Sequence, residues 1–357
     1  MGGIMSPLLL LSAGLSLALA ATPLCLSPSG RAVDWWFAYK LNSGTSYVYI
    51  DNATRLTPGA PLQLSGESLD TPTSPLARTL TQLITGRSTL ARVQWNDELP
   101  VPAAAAPLGS GTSGHTKGVL GASAAGGFLL THTLPKFPDL TTGAFTWGGA
   151  STLYGQNFLC LALDADNLEL AAAGLQYNDP HVYDSALPSG LVAALPATAA
   201  LVAGQRKAGT RAQRLATAGG AAFLQVCKSG STGLDLYEDV LQPELMQDLW
   251  VETWRRSPAM DSYCQPTYAW DSLNVQALTF LDEAGAPLPL KYTQDHSKIA
   301  VTAPGSPRGA YGNVSCVGDM NRMTSQWARG GGTVCALGNA ALHAALVETM
   351  TSVDDCL

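Results

Sequence analysis

The tripeptide His-x-Lys occurs in "GHTKGVL" (114–120) and again 181 positions later in "DHSKIAV" (295–301), which together use two of only five histidines in 357 residues. An apolar run follows each tripeptide, so each reads as part of a strand, where residues i and i+2 project to one face. His115 and Lys117 then share a face, as do His296 and Lys298. An imidazole beside a fixed ammonium suits a phosphate group: lysine neutralises and positions the oxygens, while histidine attacks phosphorus or protonates a departing oxygen. Two such pairs can serve one phosphodiester without a metal, with one histidine as nucleophile and the other as general acid. The tripeptide alone carries little information, because two exposed strand ends would produce the same pattern.

Residues 115–134 read as a hairpin, with "HTKGVLGAS" and "FLLTHTL" flanking a turn near "AAGG" and Pro135 ending the return strand. With the turn centred between Ala125 and Gly126, His132 falls opposite Val119 on the face of His115 and Lys117, a third candidate for the phosphate site. Further strands are expected in 31–50, "RAVDWWFAYKLNSGTSYVYI", read as a pair, and in "ARVQW" (91–95), "AAFLQVC", "LWVETW", "VQALTFL" and "SKIAVTA". Helices are expected near 234–241 and over 339–352, where Leu342, Leu346 and Met350 recur at i, i+4 spacing. Residues 99–114 read as a surface loop, and the plain, Ala-rich 185–220 stretch is the candidate boundary between halves. Strands and helices alternate on both sides of it, which points to an α/β or α+β architecture.

The leader "MGGIMSPLLLLSAGLSLALA" ends in Ala-Leu-Ala and reads as a signal peptide over 1–20, cut after Ala20; its apolar core is shorter than a membrane span. No other stretch is apolar enough for an anchor, so a soluble, lumenal or extracellular mature protein is expected. Two sequons, at Asn52 and Asn313, fit that route. The cysteines are Cys25, Cys160, Cys227, Cys264, Cys316, Cys335 and Cys356; in an oxidising compartment an odd count suggests three bridges and one free thiol, with the connectivity open. No Cys/His spacing suits zinc, and no metal or cofactor is expected. A net charge of −7 disfavours a polyanionic ligand near neutrality, but protonating the five histidines adds five charges and leaves −2, so repulsion of phosphate fades on acidification.

The wording around the tripeptides extends beyond spacing. "VDWWFAYKL" (33–41), "GHTKGVL", "GGFLLTHTLPKFP" (126–138), "YGQNFLCLAL" (154–163), "DHSKIAV" and "CVGDMNRMTSQWARGGGTVC" (316–335) together resemble the deoxyribonuclease II family, from about Cys25 to Cys356. The resemblance implies a phospholipase D-like α/β fold with mixed sheets, in which two pseudo-symmetric halves each bring one H-x-K motif to a shared site. The expected organisation is a first half over 21–195, a connecting region over 196–220 and a second half over 221–357. The family's chemistry implies a lysosomal or secreted acid endonuclease that cuts DNA without a divalent metal. It would pass through a phosphohistidine and leave 3′-phosphate and 5′-hydroxyl ends.

Carried over residue by residue, the resemblance gives His115, Lys117, His296 and Lys298 as catalytic, with His115 favoured as nucleophile and His296 as acid, the reverse assignment staying open. His132, Asn157, Asn321 and Asp319 are supporting candidates, Asn157 and Asn321 as pseudo-symmetric partners; Asp295 can also orient a histidine or lysine. The same resemblance implies the bridges Cys25–Cys160, Cys264–Cys356 and Cys316–Cys335, leaving Cys227 unpaired. Contacts mainly to the phosphate backbone imply little sequence preference, and a monomer suffices.

Rival readings are a phosphodiesterase of the same fold acting on another substrate, and a catalytically silent secreted protein that binds DNA or a partner protein. "GSGTSG" (109–114) matches a dinucleotide-binding glycine pattern but lacks the preceding strand and following helix. His181 and His343 read as structural or exposed, and the "WW" pair as core aromatics.

Overall fold

Every residue of "WWFAYK" is buried, because this strand, β1 (Trp35–Lys40), lies inside a sheet covered on both faces. Trp35, Phe37 and Tyr39 face the centre of the molecule, whereas Trp36 and Ala38 face an outer layer. The chain is seen in a computed structural model that describes residues 21–100, 113–138, 140, 145, 147, 152–256, 259–306 and 309–356. The expected leader, and 101–112 of the expected loop, lie outside the described residues.

The first sheet joins β1 to β2 (Ser46–Asp51), β3 (Leu64–Ser68), β4 (Ala91–Trp95), β5 (Gly118–Ser123), β6 (Gly126–His132), β7 (Gln156–Asp164) and β8 (Val182–Ala186), in the order β3-β2-β1-β7-β6-β5-β4-β8. The second contains β9 (Thr210–Ala216), β10 (Ala222–Lys228), β11 (Leu249–Thr253), β12 (Ser272–Leu281), β13 (Pro287–Lys291), β14 (Lys298–Thr302), β15 (Val314–Gly318) and β16 (Gly331–Leu337). Its order is β9-β10-β16-β15-β14-β11-β12-β13, with β17 (Ser352–Val353) on β12. Read this way, β5 and β14, the strands entered from the two H-x-K tripeptides, hold matching places. Each pairs with a following hairpin strand, β6 or β15, and on its other side with β4 or β11. The match ends at the margin, where β8 runs antiparallel to β4 but β12 runs parallel to β11.

Between the sheets lies a core built from Phe37, Tyr39, Phe223, Phe280, Ile299 and Val317 together with α2 (Ala165–Leu175) and α5 (Ala340–Thr349). Outside the first sheet packs α1 (Pro75–Thr85), started by Ser74, whose hydroxyl accepts the Ala77 N–H, and by Pro75 in the first turn. Outside the second sheet, the segment expected to be helical near 234–241 is a π-helical turn over Tyr237–Leu241, continued by the short helix α4 (Gln242–Leu245). Bonds join Cys25 to Cys160, Cys264 to Cys356 and Cys316 to Cys335, while Cys227 is buried and free. Among the described residues no helix is long and apolar enough to cross a membrane. Asn52 and Asn313 are exposed.

Two expectations need amendment. The Ala-rich 196–220 region is no bare connector: it holds α3 (Pro196–Val202) and the edge strand β9. Its helix starts under a tertiary cap, because the Glu169 carboxylate on α2 accepts from Ala197 N, Thr198 N and the Thr198 hydroxyl. The hairpin turn falls at Ala124–Ala125, so Ser123 pairs with Gly126 and Gly118 with Thr131. His132 thus lies opposite Lys117, donating its backbone N–H to the Lys117 carbonyl at 3.2 Å, and not opposite Val119. The two-residue shift preserves the face. Gly126 and Gly127 belong to the strand because neighbouring backbone approaches them closely: a Cβ on Gly127 would lie 1.9 Å from the Gly121 carbonyl oxygen.

Candidate active site

Each H-x-K segment is seated by the opposite sheet. The His115 N–H donates to the Gly330 carbonyl at 2.7 Å, just ahead of β16, and the His296 N–H donates to the Gly155 carbonyl at 2.9 Å, just ahead of β7. Gln156 pairs with Lys40 on β1, and Gly331 pairs with Lys228 on β10, so Gly155 and Gly330 occupy corresponding positions. The Lys298 N–H adds a further crossing, donating to Asn157 Oδ1 at 2.7 Å. These contacts bring His115, Lys117, His296 and Lys298 to one place at the end of the sheets.

Their mutual influence is electrostatic. Burial pushes the His296 imidazole down to about 2, reinforced by Lys298, Lys117, Arg256 and Lys40. His115 is held well below the ordinary histidine range by burial and then by Lys117, opposed by Asp97. Lys298 falls to about 7 through burial and the nearby Lys117. Each group thus resists further positive charge, and the site as a whole is arranged for an anion.

The two histidines have unlike surroundings. His115 Nδ1 contacts the Asp319 backbone carbonyl, and because a carbonyl only accepts, the proton sits on Nδ1 and the Nε2 lone pair is left free. Nε2 lies 3.9 Å from Asp97, whose carboxylate also pairs with Lys117 at 2.5 Å and Arg329 at 2.9 Å. Burial would raise the Asp97 carboxyl, but Lys117, His115 and Arg329 together outweigh it and hold it well below the usual carboxylate range. His296 instead packs against two aromatic rings that also touch each other, stacking on Tyr154 at 4.0 Å and 7° and meeting Trp254 at 3.9 Å, with the Arg256 guanidinium 3.9 Å over Trp254. His296 Nε2 has no hydrogen-bond partner among the described residues.

Strand pairing puts these differences at one structural position. Trp95 faces Gly118 and Thr253 faces Lys298, so Asp97 and Trp254 each stand one residue past the partner of a motif lysine. One half supplies a carboxylate there and the other an indole.

The supporting candidates separate. Asp319 is at the site: its backbone holds His115, its side chain accepts the Gly332 N–H at 2.8 Å, and burial raises its carboxyl to about 6. Asn157 is there through Lys298. The His132 imidazole, 1 % exposed, stacks 4.3 Å from Phe137 and accepts the Leu134 N–H at Nδ1. Its Nε2 is buried without a hydrogen-bond partner among the described residues, and the Lys117 charge acts on the ring. Asn321 is buried, but the position on β16 that matches Asn157 on β7 is Gly332, so the two asparagines are not structural counterparts. Asp295 is fully buried and accepts from Ser297 N and Oγ at 2.8 and 2.7 Å, fixing the turn between His296 and Lys298. His343 is structural, held on α5 against Thr302.

Sequence reasoning did not single out Asp97, Arg329, Tyr154 or Trp254. Arg329, Tyr154 and Trp254 fall inside stretches read as motif or strand, whereas Asp97 stands in "WNDELP" with no motif of its own. Only the pairing of β4 with β5 brings it to Lys117.

Fold and site define a class of α/β protein in which two sheets each lend an imidazole and an ammonium to one place. The family described as deoxyribonuclease II matches residues 24–356. The chain is 32% identical over 349 residues to Plancitoxin-1 of Acanthaster planci, covering 93% of this chain and 92% of that protein. It is 33% identical over 347 residues to Deoxyribonuclease-2-alpha of Sus scrofa, covering 93% and 90%, and 31% identical to Deoxyribonuclease-2 of Caenorhabditis elegans, covering 87% and 88%. The chain belongs to the deoxyribonuclease II family.

Proposed function

We propose that this protein is an acid endonuclease that hydrolyses DNA phosphodiesters at the site where the two H-x-K pairs meet. The observation that carries the proposal is the reciprocal seating of His115 and His296, which gives one phosphate two imidazoles and two ammonium groups. Family membership, with relatives named as deoxyribonucleases, supports DNA as substrate. Backbone contacts suffice for cutting with little sequence preference. Three disulfides fit an oxidising compartment, and we assign the protein to the lysosome or the cell exterior.

In the proposed reaction His115 Nε2, whose lone pair is defined by the Nδ1–H bond to Asp319, attacks phosphorus. The bond to O5′ breaks as His296 donates its proton to that oxygen, releasing the 5′-hydroxyl strand. Water then attacks the phosphohistidine, giving a proton to His296; the P–N bond breaks and a 3′-phosphate remains. Lys117 and Lys298 stabilise the equatorial oxygens. A phosphate anion between the two pairs raises the His296 pKa from its low unliganded value, and the two titrations are coupled. The acid must start protonated, so activity is expected to fall as pH rises towards neutrality.

The test is cleavage of supercoiled plasmid at pH 5 with excess EDTA by wild type, His115→Ala and His296→Ala, with the ends mapped. Cutting to 3′-phosphate ends that both substitutions abolish is the expected result. A folded wild type that does not cut, or cuts only with added metal, overturns the mechanism and leaves a binding protein.

A further inference from the structure

The last residue of β1 and the last residue of β10 are both lysines, and both are fully buried. Lys40 Nζ donates to three carbonyls, of Leu41 at 2.7 Å, Gly44 at 2.9 Å and Thr152 at 3.2 Å. Lys228 Nζ also donates to three, of Gln326 at 3.4 Å, Trp327 at 2.9 Å and Arg329 at 2.7 Å. Neither lies within ion-pair distance of a carboxylate among the described residues; countercharges act from further off, Asp295 on Lys40 and Asp235 and Asp179 on Lys228, so three carbonyls rather than an ion pair take up each ammonium, which is costly to desolvate. A hydrophobic residue at a strand end would avoid that cost, so three carbonyls around an ammonium, found twice at matching positions, call for an explanation beyond packing.

The loops they hold supply one. Thr152 precedes Tyr154, which stacks on His296, and Gly155, which accepts the His296 N–H. Residues 326–329 lead to Gly330, which accepts the His115 N–H, and include Arg329, which pairs with Asp97. We propose that Lys40 and Lys228 are positioning residues, each clamping the loop of its own sheet that seats the histidine of the other sheet. Burial draws Lys40 down only to about 8, so at acid pH it is charged and its donors are all engaged. The inference rests on the phosphodiesterase reading of the site.

Lys40→Met and Lys228→Met remove the donors while keeping a linear side chain. Each is assayed beside wild type for DNA cleavage at pH 5, for DNA affinity by competition and for the salt dependence of binding. A displacement of about 1 Å in a catalytic group is enough for roughly a hundredfold loss. The expected result is therefore a fall in kcat of that order, with KM and the salt slope unchanged, because neither ammonium faces substrate. A salt slope reduced by about one would show that the lysine contacts phosphate and would overturn the proposal. Unchanged kcat in the folded variants would also overturn it, reducing the lysines to scaffold. Should the Met variants not fold, Lys40→Gln and Lys228→Gln, which keep two of the three N–H donors but no charge, are read the same way, with a partial loss of kcat expected. An inactive wild type would sink the functional reading itself, a result distinct from active wild type with indifferent lysine variants.

Discussion

Asp97 carries a negative charge among Lys117, Arg329 and His115, where an incoming phosphate would meet repulsion. Its presence makes sense if it tunes His115: the carboxylate opposes the drop that burial and Lys117 impose on the imidazole. Asp97→Asn should therefore move the His115 titration to lower pH, shift the acid limb of the kcat/KM profile downward and tighten ground-state binding of DNA. Leaving Lys117 buried without its partner should also destabilise the fold by about 3 kcal/mol. A pH–rate profile with a thermal melt checks both, and an unmoved acid limb would remove Asp97 from the chemistry. The residue was not legible in the sequence because its contact with Lys117 depends on a strand pairing across the 19 intervening positions 98–116. The two H-x-K pairs were legible because each is a local pattern.

At the level of elements, the sequence marks strands well where aromatic and β-branched residues are continuous, as in "ARVQW", which coincides with β4. It misleads where glycine is read as turn. The "AAGG" turn slides because Gly126 and Gly127 are needed within β6, between β5 and β7, where a Cβ on Gly126 would lie 2.4 Å from the Leu163 carbonyl oxygen. Gly127→Ala is expected to force β5 and β6 apart and lower the yield of folded protein, measured by circular dichroism and thermal melting; a variant with native stability would contradict the register. The Ala-rich region hid a helix for a different reason. Its cap is Glu169, from another helix, and no local pattern contains it. At the start of α5, by contrast, Asn339 accepts the Leu342 N–H from within the same segment. Asn339→Ala should cost about 1 kcal/mol, seen as a lower Tm.

For the whole molecule, working in acid, as proposed, would set a problem of stability. His132 is buried and its pKa is pushed to about 3 by burial and then Lys117, whereas an unfolded histidine titrates near 6.5. As pH falls below about 6.5 the unfolded chain takes up a proton that the folded chain refuses, so the stability associated with this group is progressively lost down to about 3. Asp319 works in the opposite sense: its carboxyl, raised to about 6, favours the folded state at low pH and loses that contribution as pH rises through 6. His132→Leu should flatten the decline of Tm between pH 6.5 and 4.5, a difference on the order of 2 kcal/mol at the lower end. A slope identical to wild type would show that His132 is protonated in the folded protein.

A phosphodiester has two chemically different sides, and a centre with equal halves would accept a strand running in either sense. The carboxylate of Asp97 on one side and the indole of Trp254 on the other break that equivalence at one pair of matching positions. In a nuclease built this way, that inequality is what would give the bound strand a polarity, and uniform chemistry at the cut ends would be its visible trace.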